Sequence, residues 1–493
     1  MTKHSPYSTV FKTMVIGIVL TLVVSPQSYA QFTPGYVVSV TDGDDSYGNK
    51  SPRIAITDQG EVVVFWMRTG NEAFYLSRWD GQGFSSPSQI PFGGLNPNLW
   101  SGSLGPNFAT GNGHMYVTFE VYGDAIYITH SGDNGLTWDD PVAAFVPPQG
   151  RRATIPTVAV DADGQPLVAY VNTNAQEGDA HYGLVRSSDF GASFSAEAWV
   201  NEIAAGEEVC ECCNGDIAVS PNGDIYVAFR NNDANLRDIW VARSTDGGLS
   251  FSEAYDMDET DWVSGVCPSN GPHLLAEDGA VHAAFFSASS SWGSGVYFSS
   301  LDPLLGNVSS TLTLPPAQEE SSQQNRPRIA GSGDTLGVVW QESYNGSLEI
   351  GMSFSTTGIS GLGSDQGLLT ELSGSQRYPD MLFHDGKFHV VYEDVSSGTV
   401  LYQAVHPGLV GMEEEQLSFS IFPNPVRDEL NYQMMTQGPI ELQIFDALSR
   451  SCGAYSGLTG SGTLNLNTLT PGFYHLRVHT ENGETSVIRF IKE

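Results

Sequence analysis

Residues 216–230, DIAVSPNGDIYVAFR, hold a short apolar strand, a turn at Gly223 and a second strand that ends on an aromatic, Phe229. Val, Ile, Tyr and Phe flanking a glycine turn are the composition of a β-hairpin. The unit occurs seven times. Its first strands begin near Arg53, Asn107, Thr157, Asp216, His273, Arg328 and Asp380; its second strands end on Trp66, Phe119, Tyr170, Phe229, Phe285, Trp340 and Tyr392. The interval is 12 or 13 residues in every copy, and each turn carries a glycine: Gly60, Gly113, Gly164, Gly223, Gly279, Gly333 or Gly386. A third strand follows, as in FYLSRW at 74–79 and DIWVAR at 238–243. Successive units start 50–59 residues apart, which leaves room for four antiparallel strands and their loops. No helical periodicity of useful length interrupts the series.

A single sheet of this kind exposes two edges and two faces and cannot fold alone. Arranging the sheets around an axis buries each face against a neighbour, where the strand-ending aromatics pack. The reading is an all-β chain with a seven-bladed β-propeller over residues 31–410, six blades being the alternative. The seventh unit shows only three strands, while an orphan strand, YVVSV at 36–40, precedes the first. This N-terminal strand is expected to supply the missing outer strand of the last blade.

Three units carry a further motif after the third strand: SGDNGLTW at 131–138, SSDFGASF at 187–194 and STDGGLSF at 244–251. The pattern resembles the Asp-box (BNR repeat) of sialidase-like propellers. Its carboxylate can accept N–H bonds from its own turn, and its aromatic can anchor the hairpin in the blade. Asp133, Asp189 and Asp246 are therefore read as structural, on the face opposite the loops that lead into first strands.

Both ends of the chain read as export signals. Lys3 and Lys12 precede a short apolar run from Met14 to Val24, and Ser28-Tyr29-Ala30 offers small residues for cleavage, so residues 1–30 read as a signal peptide. The apolar run is too short for a membrane anchor, and no anchor is expected once the signal is removed. An acidic linker at 411–418 (Glu413, Glu414, Glu415) leads to SIFPNPVRDEL, QIFDALSR, LNTLTPGFYHLRV and VIRFIKE. Residues 419–493 resemble the type A C-terminal sorting domain of the type IX secretion system. The resemblance implies a small C-terminal β-sandwich, the secretion machinery as a partner, and a secreted or outer-membrane surface-attached protein.

Acidic residues outnumber basic ones 56 to 21, a net charge of −35, which disfavours nucleic acid and anionic lipid surfaces as partners. Yet of twelve arginines in the propeller, six stand at or just before first strands: Arg53, Arg151, Arg152, Arg326, Arg328 and Arg377. Guanidinium forks on one face can hold a carboxylate despite distant acidic residues, which salt screens beyond about 8–10 Å. Arg53-Ile54-Ala55 and Arg328-Ile329-Ala330 are similar to the Arg-Ile-Pro motif of sialidases. That resemblance implies substrate contacts from Arg53, Arg152, Arg326 and Arg377, a Tyr378 nucleophile, and an activating Glu from Glu120, Glu342 or Glu393, with Glu393 preferred. No Asp is assigned the acid role. The plain alternative is that these arginines cap strands and pair with surface carboxylates.

Cys210, Cys212 and Cys213 precede the fourth first strand and Cys267 the fifth, so both loops lie on the arginine-bearing face. A disulfide from the CECC segment to Cys267 is expected outside the cell, with a thiolate metal site that His273 could join as alternative. Cys452 has no evident partner. No cofactor is required; calcium is possible at Asp42–Asp45 or Asp256–Asp261. His114, His181, His282 and His389 receive no role. Three functions remain open for what reads as a monomer: a glycan-recognising or glycan-processing protein, with an exo-sialidase-like hydrolase its sharpest form; a noncatalytic propeller that binds a glycan or a protein; and a metal- or redox-active propeller built on the CECC loop.

Overall fold

Each second-strand aromatic finds its burial against the preceding sheet, the first against the last, and that packing closes the propeller. The computed structural model describes residues 38–40 and 48–407, except 70–72, 82, 99–106, 205, 207, 319–320, 371 and 373. It also describes 419–492, except 424, 435–438, 447–449 and 481–484. The expected signal peptide, the linker and Asp42–Asp45 lie outside the described residues.

Seven antiparallel sheets follow one another along residues 38–405. The first contains Asn49–Ile56, Val62–Arg68, Ala73–Arg78 and Ser88–Ile90 in that order. The others repeat the plan, and the fifth gains a short additional strand, Leu312–Leu314, beside its third. The last sheet is completed as expected: Val38–Ser39 pairs with Thr399–Val405, Val38 opposite Tyr402 and Ser39 opposite Leu401.

Trp66, Phe119, Tyr170, Phe229, Phe285, Trp340 and Tyr392 are all completely buried. They belong to seven apolar clusters, each joining two consecutive sheets, the seventh sheet joining the first through Val391, Val400, Tyr402, Ile54 and Trp66. Removing one such ring would cost about 3–5 kcal/mol, since the cavity would open at a sheet–sheet contact. All seven hairpin glycines adopt positive φ, from +57° to +89°, as a tight turn requires. The three Asp-box turns share one hydrogen-bond scheme. In each, a serine hydroxyl two residues before the Asp donates to its carboxylate, and the residue four positions after the Asp donates both its N–H and its hydroxyl.

The C-terminal segment forms a sandwich. A three-stranded sheet (Phe419–Phe422, Glu429–Met434, Ser461–Asn465) and a four-stranded sheet (Ser451–Thr459, Pro439–Asp446, Gly472–Thr480, Thr485–Lys492) contribute to one apolar core. Leu430, Ile440, Leu442, Leu476, Val478 and Phe490 are among its buried residues.

Candidate functional site

The seven residues that mark the first strands share one structural position. In every sheet that residue stands opposite the one just before the aromatic: Arg53 opposite Phe65, Asn107 opposite Thr118, Thr157 opposite Ala169, Asp216 opposite Ala228, His273 opposite Ala284, Arg328 opposite Val339, Asp380 opposite Val391. Consecutive first strands touch around the axis. The sequence position that defines the repeat therefore builds a polar ring inside the channel. Six of its members, Arg53, Asn107, Asp216, His273, Arg328 and Asp380, line a chamber of about 140 Å³.

Ring side chains bridge neighbouring blades. Asp380 Oδ2 accepts the Ile54 N–H at 2.9 Å, Asp216 Oδ2 the Leu274 N–H at 2.7 Å, and His273 Nδ1 the Ile329 N–H at 3.2 Å. The Asn107 amide donates to Thr157 Oγ1 at 3.0 Å. Since His273 Nδ1 accepts, its proton belongs on Nε2, which lies 3.8 Å from Asp216 Oδ2. Burial, then Arg328 and Arg53, holds this imidazole far below its ordinary pKa, so it is neutral. Burial pushes the Asp216 carboxyl up to about 6, against the Leu274 N–H and Arg328. Burial and the repulsion of Arg328 bring Arg53 down to about 10, and it remains charged at neutral pH. Arg328 Nε lies 3.4 Å from Asp380 Oδ1.

A backbone device recurs just ahead of the ring. Two residues before the ring position, Ser51, Ile155, Arg326 and Tyr378 adopt φ between +50° and +54°, and each precedes a proline. Strand pairing slips there in all four sheets. The left-handed conformation costs a non-glycine residue roughly 1–3 kcal/mol, which the surrounding sheet must offset. In exchange Arg326 and Tyr378 reach the mouth, where they line a pocket with Arg53, Arg328, Asn214 and Asn270. Arg53 is only 6% exposed, and its Nε is buried without a hydrogen-bond partner among the described residues.

Of the four arginines expected to hold a substrate, Arg53 and Arg326 meet at this mouth. Arg377 Nε instead pairs with Glu393 Oε2 at 2.8 Å. Arg152 lies over the Tyr122 ring at 4.6 Å and pairs with Glu177. Arg328, one residue of the second Arg-Ile-Ala segment, lines the mouth beside them. Tyr378 faces two guanidinium groups, Arg326 at 4.6 Å and Arg377 at 5.1 Å from its ring. Glu393 is 2% exposed and spends one oxygen on the Ser51 N–H at 2.7 Å and the other on Arg377. Burial raises its pKa against those two donors. Glu120 and Glu342 are likewise engaged, the first by Thr154 and Asn98, the second by Trp340 and Ala317.

Asp216 and Asp380 escaped the sequence reading as site residues although they marked the repeat, and His273 entered it only as a ligand of the alternative thiolate site. The signal was present: proline precedes the ring position in six of seven units, at Pro52, Pro106, Pro156, Pro272, Pro327 and Pro379. The expected bond from the CECC segment is Cys212–Cys267. Cys210 and Cys213 are free and buried, and Cys210 Sγ lies 3.6 Å from Cys212 Sγ. The neighbouring Cys213 thiol and burial push the Cys210 thiol up.

Residues 420–493 match the family model described as Secretion system C-terminal sorting domain. No curated protein matches the chain. Among solved structures it is similar to an unknown function protein from Dyadobacter fermentans, at 13% identity and TM-score 0.46, over 77% of this chain and 99% of that one. It is also similar to Trypanosoma rangeli sialidase in complex with the inhibitor DANA (9%, TM-score 0.41, 90% of this chain and 84% of that one). A third is Penicillium chrysogenum alpha-L-arabinanase complexed with arabinobiose (13%, TM-score 0.42, 77% and 99%). Among the described residues no helix is long and apolar enough to cross a membrane. The C-terminal segment is a type IX sorting domain, and the chain it ends is exported, either released or held at the cell surface.

Proposed function

We propose that the exported propeller recognises an acidic extracellular glycan, whose carboxylate enters the channel mouth. The observation that carries this reading is the convergence of Arg53, Arg326 and Arg328 on one pocket, with Arg53 Nε buried and unpartnered. A buried donor of a charged group without an acceptor is costly, and a carboxylate is its natural complement. Asn214 and Asn270 add polar groups suited to sugar hydroxyls at the same pocket. Recognition without turnover is the simpler reading, because both Glu393 oxygens are already engaged away from Tyr378.

Hydrolysis is the second reading, and one feature favours it: Asp216 keeps its proton to about pH 6, as a general acid must. The test is an array of sialylated, uronic-acid and neutral glycans, read for retention and for released sugar. Acidic glycans should be retained without release, and Arg326→Ala should weaken retention by roughly tenfold or more. Equal retention of neutral glycans, or an unaffected Arg326→Ala, would sink the proposal. Sugar release lost in Asp216→Asn would replace recognition by hydrolysis.

A further inference from the structure

The CECC loop holds two free thiols against a disulfide, a grouping that the binding of a carboxylate does not use. Cys212 is bonded to Cys267, which ties the loop before the fourth first strand to the loop before the fifth. Cys210 Sγ lies 3.6 Å from Cys212 Sγ, and the sulfurs of Cys210, Cys212 and Cys267 all fall within 4.8 Å of one another. Cys213 completes the group. Its N–H reaches the Cys210 carbonyl at 3.3 Å, closing a turn, and its sulfur is hydrogen-bonded to the Cys210 thiol. The turn is anchored on both sides: the Cys210 N–H donates to the Arg230 carbonyl at 2.9 Å, and the Tyr182 hydroxyl to the Cys213 carbonyl at 2.8 Å.

The four sulfurs are not equivalent. Cys210 and Cys213 are completely buried, whereas Cys267 is exposed. Burial opposes ionisation of Cys213, but the Cys210 thiol, the Arg230 charge, the Asn270 N–H and the Arg237 charge bring it down to about 7. Near neutral pH the buried pair thus holds a single proton in a sizeable share of chains. At the other end, the Ser269 hydroxyl lies 3.3 Å from Cys267 Sγ. A bonded sulfur carries no proton, so the hydroxyl is the donor there and would stabilise a departing thiolate. A close nucleophile, nearby cations and a solvated leaving sulfur are what exchange requires.

We propose that the CECC loop is a thiol–disulfide exchange site, in which Cys210 displaces Cys267 from Cys212 and Cys213 then draws the bond onto the Cys210–Cys213 pair. In the first step Cys213 takes the Cys210 proton and the Cys210 thiolate attacks Cys212 Sγ. The Cys210–Cys212 bond forms, the Cys212–Cys267 bond breaks, and Cys267 leaves as a thiolate. In the second step the Cys213 proton passes through solvent to Cys267, and the Cys213 thiolate attacks Cys210 Sγ, releasing Cys212 as a thiolate. One disulfide and one negative charge are kept throughout, so neither oxidant nor reductant is consumed. The outcome is an exposed Cys267 thiol, three residues from the mouth residue Asn270, and a mouth wall no longer tied between the two loops. The exchange does not depend on what the mouth binds.

Maleimide labelling of the full chain without reductant tests this, followed by non-reducing peptide mass analysis. The chain carries Cys452→Ser, so that the exposed thiol of the C-terminal segment cannot attack the bond. Cys267 should acquire the label at a rate that saturates with maleimide concentration, while a Cys210–Cys213 linked peptide accumulates. Cys210→Ser should slow the labelling of Cys267 by roughly a hundredfold or more, since the neighbouring nucleophile is gone. Cys213→Ser should leave the bond at Cys210–Cys212. If Cys210→Ser does not fold, the saturated rate in the Cys452→Ser chain carries the test and should rise with pH through about 7. Cys267 that stays bonded, Cys210 labelled before it, a saturated rate indifferent to pH, or two permanent disulfides that leave no nucleophile overturns the assignment.

Discussion

A single carboxyl in the channel decides how the mouth responds to pH. Asp216 faces Arg53 and Arg328 across the chamber, with Asp380 as a second anion and His273 neutral throughout. Above about pH 6 Asp216 is ionised and opposes an incoming carboxylate; below it, that repulsion is gone. A glycan carboxylate stays ionised down to about pH 4. Retention of an acidic glycan should therefore tighten between pH 7.5 and pH 5, and Asp216→Asn should flatten the profile. The stability contribution has the same sign. The folded state binds this proton more tightly than the unfolded chain, so the contribution is present at acid pH and lost as pH rises through about 6. A profile that is unchanged in Asp216→Asn would remove Asp216 from the mouth's electrostatics. The Asp-box carboxylates behave oppositely. Hydrogen bonds from Thr137 hold Asp133 near pKa 2, and those from Ser250 do the same for Asp246. Their contribution is present above about pH 4 and lost as pH falls through about 2.

At the scale of the element, the left-handed residue ahead of the ring position explains what the sequence could and could not disclose. The repeat was legible because each hairpin needs its glycine and each sheet–sheet contact its aromatic, two local demands that recur at fixed spacing. Which arginines meet was not. Arg326, two residues before the ring, reaches the mouth because the chain turns left-handed there, whereas Arg377, three residues before it, pairs with Glu393. A one-residue change in such a slip redirects a side chain, and strand periodicity gives no warning of it. In blade five the equivalent position is Gly271, and here the reason is contact rather than dihedral freedom. A Cβ on Gly271 would meet the Asn214 carbonyl oxygen of blade four at 1.7 Å, an approach only backbone movement can relieve. Gly271→Ala should destabilise the propeller by roughly 2–4 kcal/mol in chemical denaturation, beyond the range of ordinary surface changes. Gly223→Ala, at +89° with no atom in reach, should cost only its dihedral strain, about 1 kcal/mol. Equal losses for the two variants would show that the two blades do not meet so closely.

For the whole molecule, closure and export are separate properties lodged at opposite ends of the chain. Residues 38–39 complete the last sheet, and Val40 N–H reaches the Val400 carbonyl at 2.9 Å while its side chain packs in the cluster joining blades seven and one. Without them the edge of Thr399–Val405 would be bare, and an unpaired edge invites both fraying and aggregation. The sorting domain has its own buried core, from Val426 to Phe490, and none of its described residues joins the seven clusters between blades. Two truncations should accordingly fail in different ways. A chain lacking residues 31–40 but keeping residues 1–30 and the sorting segment should lose several degrees of Tm and aggregate on heating, because the last blade has lost its outer strand. A chain ending at residue 407 should melt like the propeller of the full protein when purified, yet remain behind the outer membrane in the producing cell. Comparing melting curves with the fraction of protein reaching the cell exterior measures both. A propeller that needs residues 420–493 to fold, or one indifferent to residues 31–40, would contradict this division of labour.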